Sequence, residues 1–254
     1  MTFRCLQFRR LSSFSGQPKR FYKEVSISNS IASSGSVWEI FLDQKPIKTP
    51  GRLDLHIPSE ALAEAIAIEF ESQKERIIPS TMPLMTIAST ALDVTSVNIV
   101  NTVDRVASFL ETDTVCFESN EEPELRDLQQ RSWEPLRELV KRDFGISTLV
   151  TTGLSLPGGN CPIGEAALKR HLEGQSAFEL TCMEIATSYA KSAVIALALL
   201  EGRRGLDEIL DAALVEEQWQ RKRWGTVEGA HDINEREMAM WLAACSFFKT
   251  SLIR

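Results

Sequence analysis

Residues 216–232 read EEQWQRKRWGTVEGAHD, and the fold is decided by where the helical pattern in this run stops and restarts. The lead-in, DEILDAALVEEQWQ at 207–220, puts Ile209, Ala212 or Ala213, Val215 or Glu216, and Trp219 on one stripe of a helix. Gly225 follows the basic run Arg221-Lys222-Arg223, the combination that ends a helix with cations against its carbonyl end. A second helix is predicted from His231-Asp232, with Asp232 and Glu235 spaced as a capping box before INEREMAMWLAACSFF. The run therefore reads as a corner between two helices that gathers Trp224, Glu228, His231 and Asp232.

Working outward, Ser176 and Glu179 form another capping-box pair, opening a helix that runs to about Leu200. Its Ala and Ser content permits close approach of neighbouring helices. Although apolar from Ile185 to Leu200, it is short and carries Lys191, so it reads as a buried core helix and no membrane span is predicted. The segment ISTLVTTGLSLPGGNCPIG, 146–164, has no helical period and reads as a connection. Residues 125–144 are helical in pattern, with Pro135 expected in the first turn of a helix starting near Ser132. The run 111–124 reads as a loop in which Thr112-Asp113-Thr114 beside Val-Cys-Phe is held against the core. Ser96 is expected to cap a helix carrying Val97, Val100, Val103 and Leu110, and Ser59 to cap one over 60–73. Before Pro58, strands are expected at 37–42, 45–49 and 53–57, with Asp43-Gln44 as a two-residue hairpin turn.

The sum is an α+β fold, predominantly α: a small β-rich N-terminal domain at 24–58 followed by a larger helical domain at 59–254. Residues 1–23 contain six basic and no acidic residues, with Phe and Leu interspersed, which is the composition of a mitochondrial presequence. Net charge is −7 overall, so the remainder carries −13, and a phosphate backbone would be repelled. Five widely spaced Cys with no CxxC pair suit reduced thiols.

No phosphate-binding glycine loop, dinucleotide fingerprint or nucleophile elbow is present, so nucleotide hydrolysis, a Rossmann dehydrogenase and an elbow-type hydrolase lack support. Glu228 and His231 have the Glu-x-x-His spacing of helical di-iron sites. That site needs the motif twice, and neither His56 nor His171 has a Glu three residues before it. A helical metalloenzyme using Glu228 and His231 as ligands stands as the alternative to a binding protein, and a structural subunit of a mitochondrial complex as a third reading.

Several segments in series carry a resemblance. They are Thr49-Pro50, LAEAIAIEFESQ at 62–73, IIPSTMPLMTIASTALD at 77–93, FLETDTVCF at 109–117 and WGTVEGAHD at 224–232. Together they resemble the mitochondrial ATP synthase F(1) assembly chaperone family that acts on the α subunit, across nearly all of residues 21–250. The resemblance implies a matrix protein that binds unassembled α subunit, prevents its aggregation and leaves when β subunit takes its place. It implies no cofactor, no metal, no catalytic residue, and a monomer when free. It places partner binding first on Glu228, and then on Trp224, His231 and Asp232. The chain departs from the family pattern at Phe70, where a Trp is usual between Glu69 and Gln73, at Gly229, where a larger residue is usual, and at Gln44, where Gly would suit a type I′ turn.

Overall fold

The computed structural model describes residues 18–32, 35–152, 162–225 and 231–252, except for the side chains of Ala32, His231 and Asp232. The chain divides into two compact units, one ending at Ser89 and the other beginning at Thr90.

In the first unit, β1 (Val25–Ala32), β2 (Gly35–Leu42) and β3 (Lys45–Pro46) form an antiparallel sheet in that order. Its register runs from Val25 opposite Leu42 to Ala32 opposite Gly35. Val37, Ile40 and Leu42 of the sheet are buried together with Leu55 and Ile57 and with Leu62, Ala63, Ile66 and Phe70 of α1 (Glu60–Glu71). Asp43 alone of the two hairpin residues takes a positive φ, 57°, so the turn is not type I′. Its carboxylate accepts the Lys23 and Glu24 amides at 2.9 and 3.1 Å, which hold its pKa below the usual value. The 53–57 segment is not a regular strand: Asp54 and Ile57 make isolated bridges to Lys48 and Trp38.

The expected boundary after Pro58 gives way to one after Ser89 because α1 packs on the sheet and then ties down the next segment of chain. The Glu69 carboxylate accepts the Leu84 and Met85 amides, both at 2.8 Å, at the start of α2 (Pro83–Thr90). Burial pushes that carboxyl up to about 7, against the two amides. The Gln73 side chain accepts the Ile78 amide at 2.8 Å and donates to Thr81 Oγ1 at 3.2 Å. Residues 18–23, expected to lie in the leader, belong to this unit. Tyr22 is buried, packs edge-on against Phe70, and donates its hydroxyl to the Phe70 carbonyl at 2.8 Å. The Arg20 guanidinium donates to the carbonyls of Glu71 and Gln73. Phe70 is thus a buried aromatic anchor.

The second unit is built around α7 (Ala193–Leu200), AVIALALL, in which every residue is buried. Helices α4 (Pro123–Phe144), α6 (Ala177–Ala190), α8 (Leu206–Ala213) and α10 (His231–Leu252) pack against it. This is the predicted core helix, divided in two. Lys191 takes a left-handed φ of 52°, and the Ser192 hydroxyl accepts the Ile195 amide at 3.0 Å to start a new helix. The Ser176–Glu179 capping box forms as predicted. Ser96 does not cap: Asn98 takes the N-cap position of α3 (Ile99–Ser108), and the Ser96 hydroxyl donates back to Leu92. Ser59 occupies the N-cap position of α1, but its buried hydroxyl makes no capping bond. A short helix, α5 (Pro162–Leu172), begins within the segment read as a connection.

Pro135 lies inside α4, which starts at Pro123, nine residues before the start near Ser132 predicted for it. An interior proline costs a helix about 3 kcal/mol. Two residues away, Trp133 is 1% exposed and donates Nε1–H to the Ala212 carbonyl at 2.8 Å, and Leu136 and Arg137 are buried beside it. Tertiary packing of this kind offsets the local cost.

At the far end of the core, Glu201 accepts from His171 Nε2 at 3.1 Å and from the buried Lys249 Nζ at 2.6 Å. The bond to His171, then the pairing with Lys249, hold the Glu201 carboxyl down to about 2 against its burial, from an ordinary value of 4.5. Because the folded pKa is depressed, this stabilisation is present above about pH 4.5 and is lost as pH falls towards 2. Urea titrations between pH 5 and 2 should show a loss of stability in that window that Glu201→Gln flattens. An unchanged pH profile in Glu201→Gln would refute the assignment.

Candidate functional site

Helix α9 (Val215–Trp224) carries the approach to the predicted corner, and Gly225, at a positive φ of 84°, ends it after the basic triplet, as predicted. The lead-in is not one helix but two, α8 and α9, because Leu214 leaves helical geometry at φ −106°. Trp219, on the predicted stripe, is buried, and Glu216 accepts from the Gln129 side chain of α4 at 2.7 Å.

Trp224 is 68% exposed. It stands edge-on to Trp219, with ring centroids 5.3 Å apart. The Arg223 guanidinium lies 5.1 Å from the Trp219 ring centre and 5.7 Å from that of Trp224, while its Nη1 meets Glu122 at the start of α4 at 2.7 Å. The edge-on ring contact and the Arg223 guanidinium, itself held by its ion pair, restrict the indole without covering it. An aromatic held in one orientation and left in water is the residue type that dominates binding energy at protein interfaces.

Of the other predicted site residues, Glu228 lies outside the described residues. His231 and Asp232 are the first two residues of α10, and their side chains are not described. The capping box expected between Asp232 and Glu235 involves the Asp232 side chain and so lies outside the described residues. The Glu235 carboxylate forms an ion pair with Arg221 of α9, 2.7 Å from its Nη2. Among the described residues, no group of three or more His, Cys, Asp or Glu could hold a metal ion. Cys116, Cys182 and Cys245 are buried thiols, and burial beside Cys182 pushes the Cys245 thiol well up, away from the reactive thiolate.

Beside the corner, the C-terminal end of α6, helix α9 and the first turns of α10 enclose an open cavity of about 410 Å³. Tyr189, Lys191, Glu217 and Glu237 line it, over a floor that includes the buried Leu214 and Met238. Sequence reading missed this cavity, since its walls come from segments well separated along the chain. The available signal was Tyr189, one of two tyrosines in the chain.

Comparisons with known proteins agree with this architecture. Residues 19–141 match the family model described as ATP12 chaperone protein. The chain is 26% identical over 250 residues to the mitochondrial protein atp12 of Schizosaccharomyces pombe, covering 89% of this chain and 80% of that one. It is 24% identical to mitochondrial ATP12 of Saccharomyces cerevisiae, covering 91% and 84%. The crystal structure of Atp12 from Paracoccus denitrificans superimposes with a TM-score of 0.83 at 25% identity, over 93% of this chain and 98% of that one. The Atu1473 protein of Agrobacterium tumefaciens does so with a TM-score of 0.84 at 28% identity, over 92% and 86%.

Proposed function

Because this chain belongs to the ATP12 chaperone family of ATP synthase assembly, we propose that it binds the unassembled α subunit of the mitochondrial F(1) head in the matrix. It keeps that subunit from aggregating until a β subunit takes over the same surface, and it is a monomer when free. The observation that carries this reading is the exposed Trp224, held edge-on to Trp219, at the head of the family-like run 224–232. An orphan subunit exposes an apolar interface of the size that drives association, and an immobilised indole meets such a surface with little loss of side-chain freedom. The acidic body, −13 beyond residue 23, supports fast and selective encounter with basic residues around that interface.

In this reading Glu228 makes a charged contact with the client, supported by Trp224, His231 and Asp232. Light scattering during refolding of α subunit should fall at near-equal molar ratio of this protein, with no such effect on an unrelated aggregating protein. Glu228→Lys should abolish the protection while the isolated variant keeps its circular dichroism and melting transition. An equally protective Glu228→Lys chain would remove Glu228 from the contact. No suppression by the folded wild-type chain would overturn the reading as a whole.

A further inference from the structure

The cavity beside the corner is more specific than a chaperone's apolar surface requires. Three carboxylates line it, and their partners differ. Glu217 meets Lys191 at 3.5 Å, and Glu235 meets Arg221 at 2.7 Å. Glu237 accepts the Tyr189 hydroxyl at 3.1 Å and, among the described residues, has no cationic partner. Tyr189 is itself stacked on Trp241, with centroids 5.5 Å apart and planes 19° from parallel. Burial and the neighbouring Glu237 push the phenol up, so it stays protonated and keeps donating to that carboxylate. The cavity therefore offers a fixed aromatic wall, an oriented carboxylate with spare acceptor capacity, and an apolar floor of Leu214 and Met238.

A planar cation on an aliphatic stem matches all three. The stem covers Leu214 and Met238, the guanidinium lies against the aromatic wall, and its forked N–H groups address Glu237. A lysine ammonium would satisfy the charge without the stacking or the fork. We propose that this cavity receives an arginine side chain of the client polypeptide, with Glu237 as its carboxylate partner and Tyr189 as its aromatic wall. This rests on the client-binding reading above and adds to it a second contact, built by the two helices that the 224–232 run connects.

The test uses the full chain in the α-subunit refolding assay with two variants that alter the cavity differently. Glu237→Gln keeps the shape and removes the charge. Ser188→Trp, at an exposed lining position, fills the space without touching the charge. Each should raise the concentration needed for half-suppression about tenfold, the effect of losing one charge-assisted bond, with the melting transition retained. Glu124→Gln, an exposed position on α4, makes the same change in net charge and should leave suppression unaltered. Suppression unchanged in both cavity variants overturns the cavity assignment and leaves the α-subunit reading standing. Loss in Glu237→Gln with Ser188→Trp silent also overturns it, because a surface charge then suffices. Absence of suppression by the wild-type chain overturns both.

Discussion

Asp113→Ala should destabilise the C-terminal unit by about 3–5 kcal/mol, enough to lower its melting temperature by about 10 °C. Asp113 is wholly buried and caps a single turn of 3-10 helix at Thr114–Cys116, between α3 and β4 (Phe117–Glu118). One carboxylate oxygen accepts the Val115 amide at 3.2 Å, and the other accepts the Ala193 and Val194 amides at 2.8 and 3.2 Å. Those last two are unsatisfied donors of the first turn of α7, the helix at the centre of the core, and they lie at the positive end of its dipole. Two opposing effects set the outcome. Burial pushes the carboxyl up to about 6, so holding the charge inside costs stability at neutral pH. The Ser192 hydroxyl and the three amides pull the other way. Removing the side chain abolishes the charge but leaves three buried N–H groups without an acceptor and a void beside them, and each such donor costs about 1–3 kcal/mol. Desertion of the donors therefore outweighs relief of the charge. Asp113→Asn should fall between, since one amide oxygen still accepts while its NH₂ group faces donors. Urea unfolding followed by tryptophan fluorescence reports the change. A loss below about 1 kcal/mol in Asp113→Ala would show that α7 finds other acceptors.

The case of Asp113 also shows what the sequence could and could not disclose. Thr112-Asp113-Thr114 beside an apolar triplet is legible as a turn held to the core, because short polar side chains that bond backbone amides have a local signature. The element it is held to is not legible, since the partners are main-chain N–H groups 80 and 81 residues away, and main chain looks alike at every position. The same division runs through the molecule. The Ser176–Glu179 box and the stop at Gly225 rest on local contacts, and both form as read. Pro135 inside α4 and the place of α1 in the N-terminal unit depend on packing between distant segments, and both departed from the local pattern. The split of the core helix at Lys191–Ser192 is intermediate. Ser192 is a good N-cap, but a serine in an Ala-rich run is equally a small packing residue, and only the left-handed Lys191 decides between them. At the candidate site, Trp224 was legible as an unusual residue at a helix end, whereas its exposure and its clamp by Arg223 and Glu122 were not.

A second large effect is expected at the ion pair of Glu118 and Arg137, and its size should depend on which partner is removed. The two side chains are 4% and 9% exposed and meet at 3.0 Å. Charges taken out of water at such a site cost several kcal/mol each, which the pair recovers only through close geometry and further bonds. Those further bonds are distributed unequally. Glu118 also accepts from Gln130 Nε2 at 2.7 Å and lies 3.5 Å from Arg126. Arg137 has, besides Glu118, the Val115 carbonyl at 2.6 Å. Deleting Arg137 leaves a carboxylate with two partners, one of them a half-exposed cation; deleting Glu118 leaves a buried guanidinium with a neutral acceptor. Glu118→Ala should therefore cost about 3–5 kcal/mol, and Arg137→Met clearly less. In Glu118→Leu/Arg137→Met the buried charges are gone and apolar volume replaces them, so the double variant should recover most of the loss in Glu118→Ala. Urea denaturation measures each variant, and Glu118→Leu alone closes the double-mutant cycle with Arg137→Met and the double variant. Equal losses in the two single variants would mean that Gln130 and Arg126 contribute nothing to holding Glu118. A double variant as unstable as Glu118→Ala would mean that the pair contributes geometry that apolar packing cannot replace. The first outcome would limit the network to the single pair. The second would make the pair a determinant of how β4 is fixed against α4, and so of where Glu122, the anchor of Arg223 and Trp224, is placed.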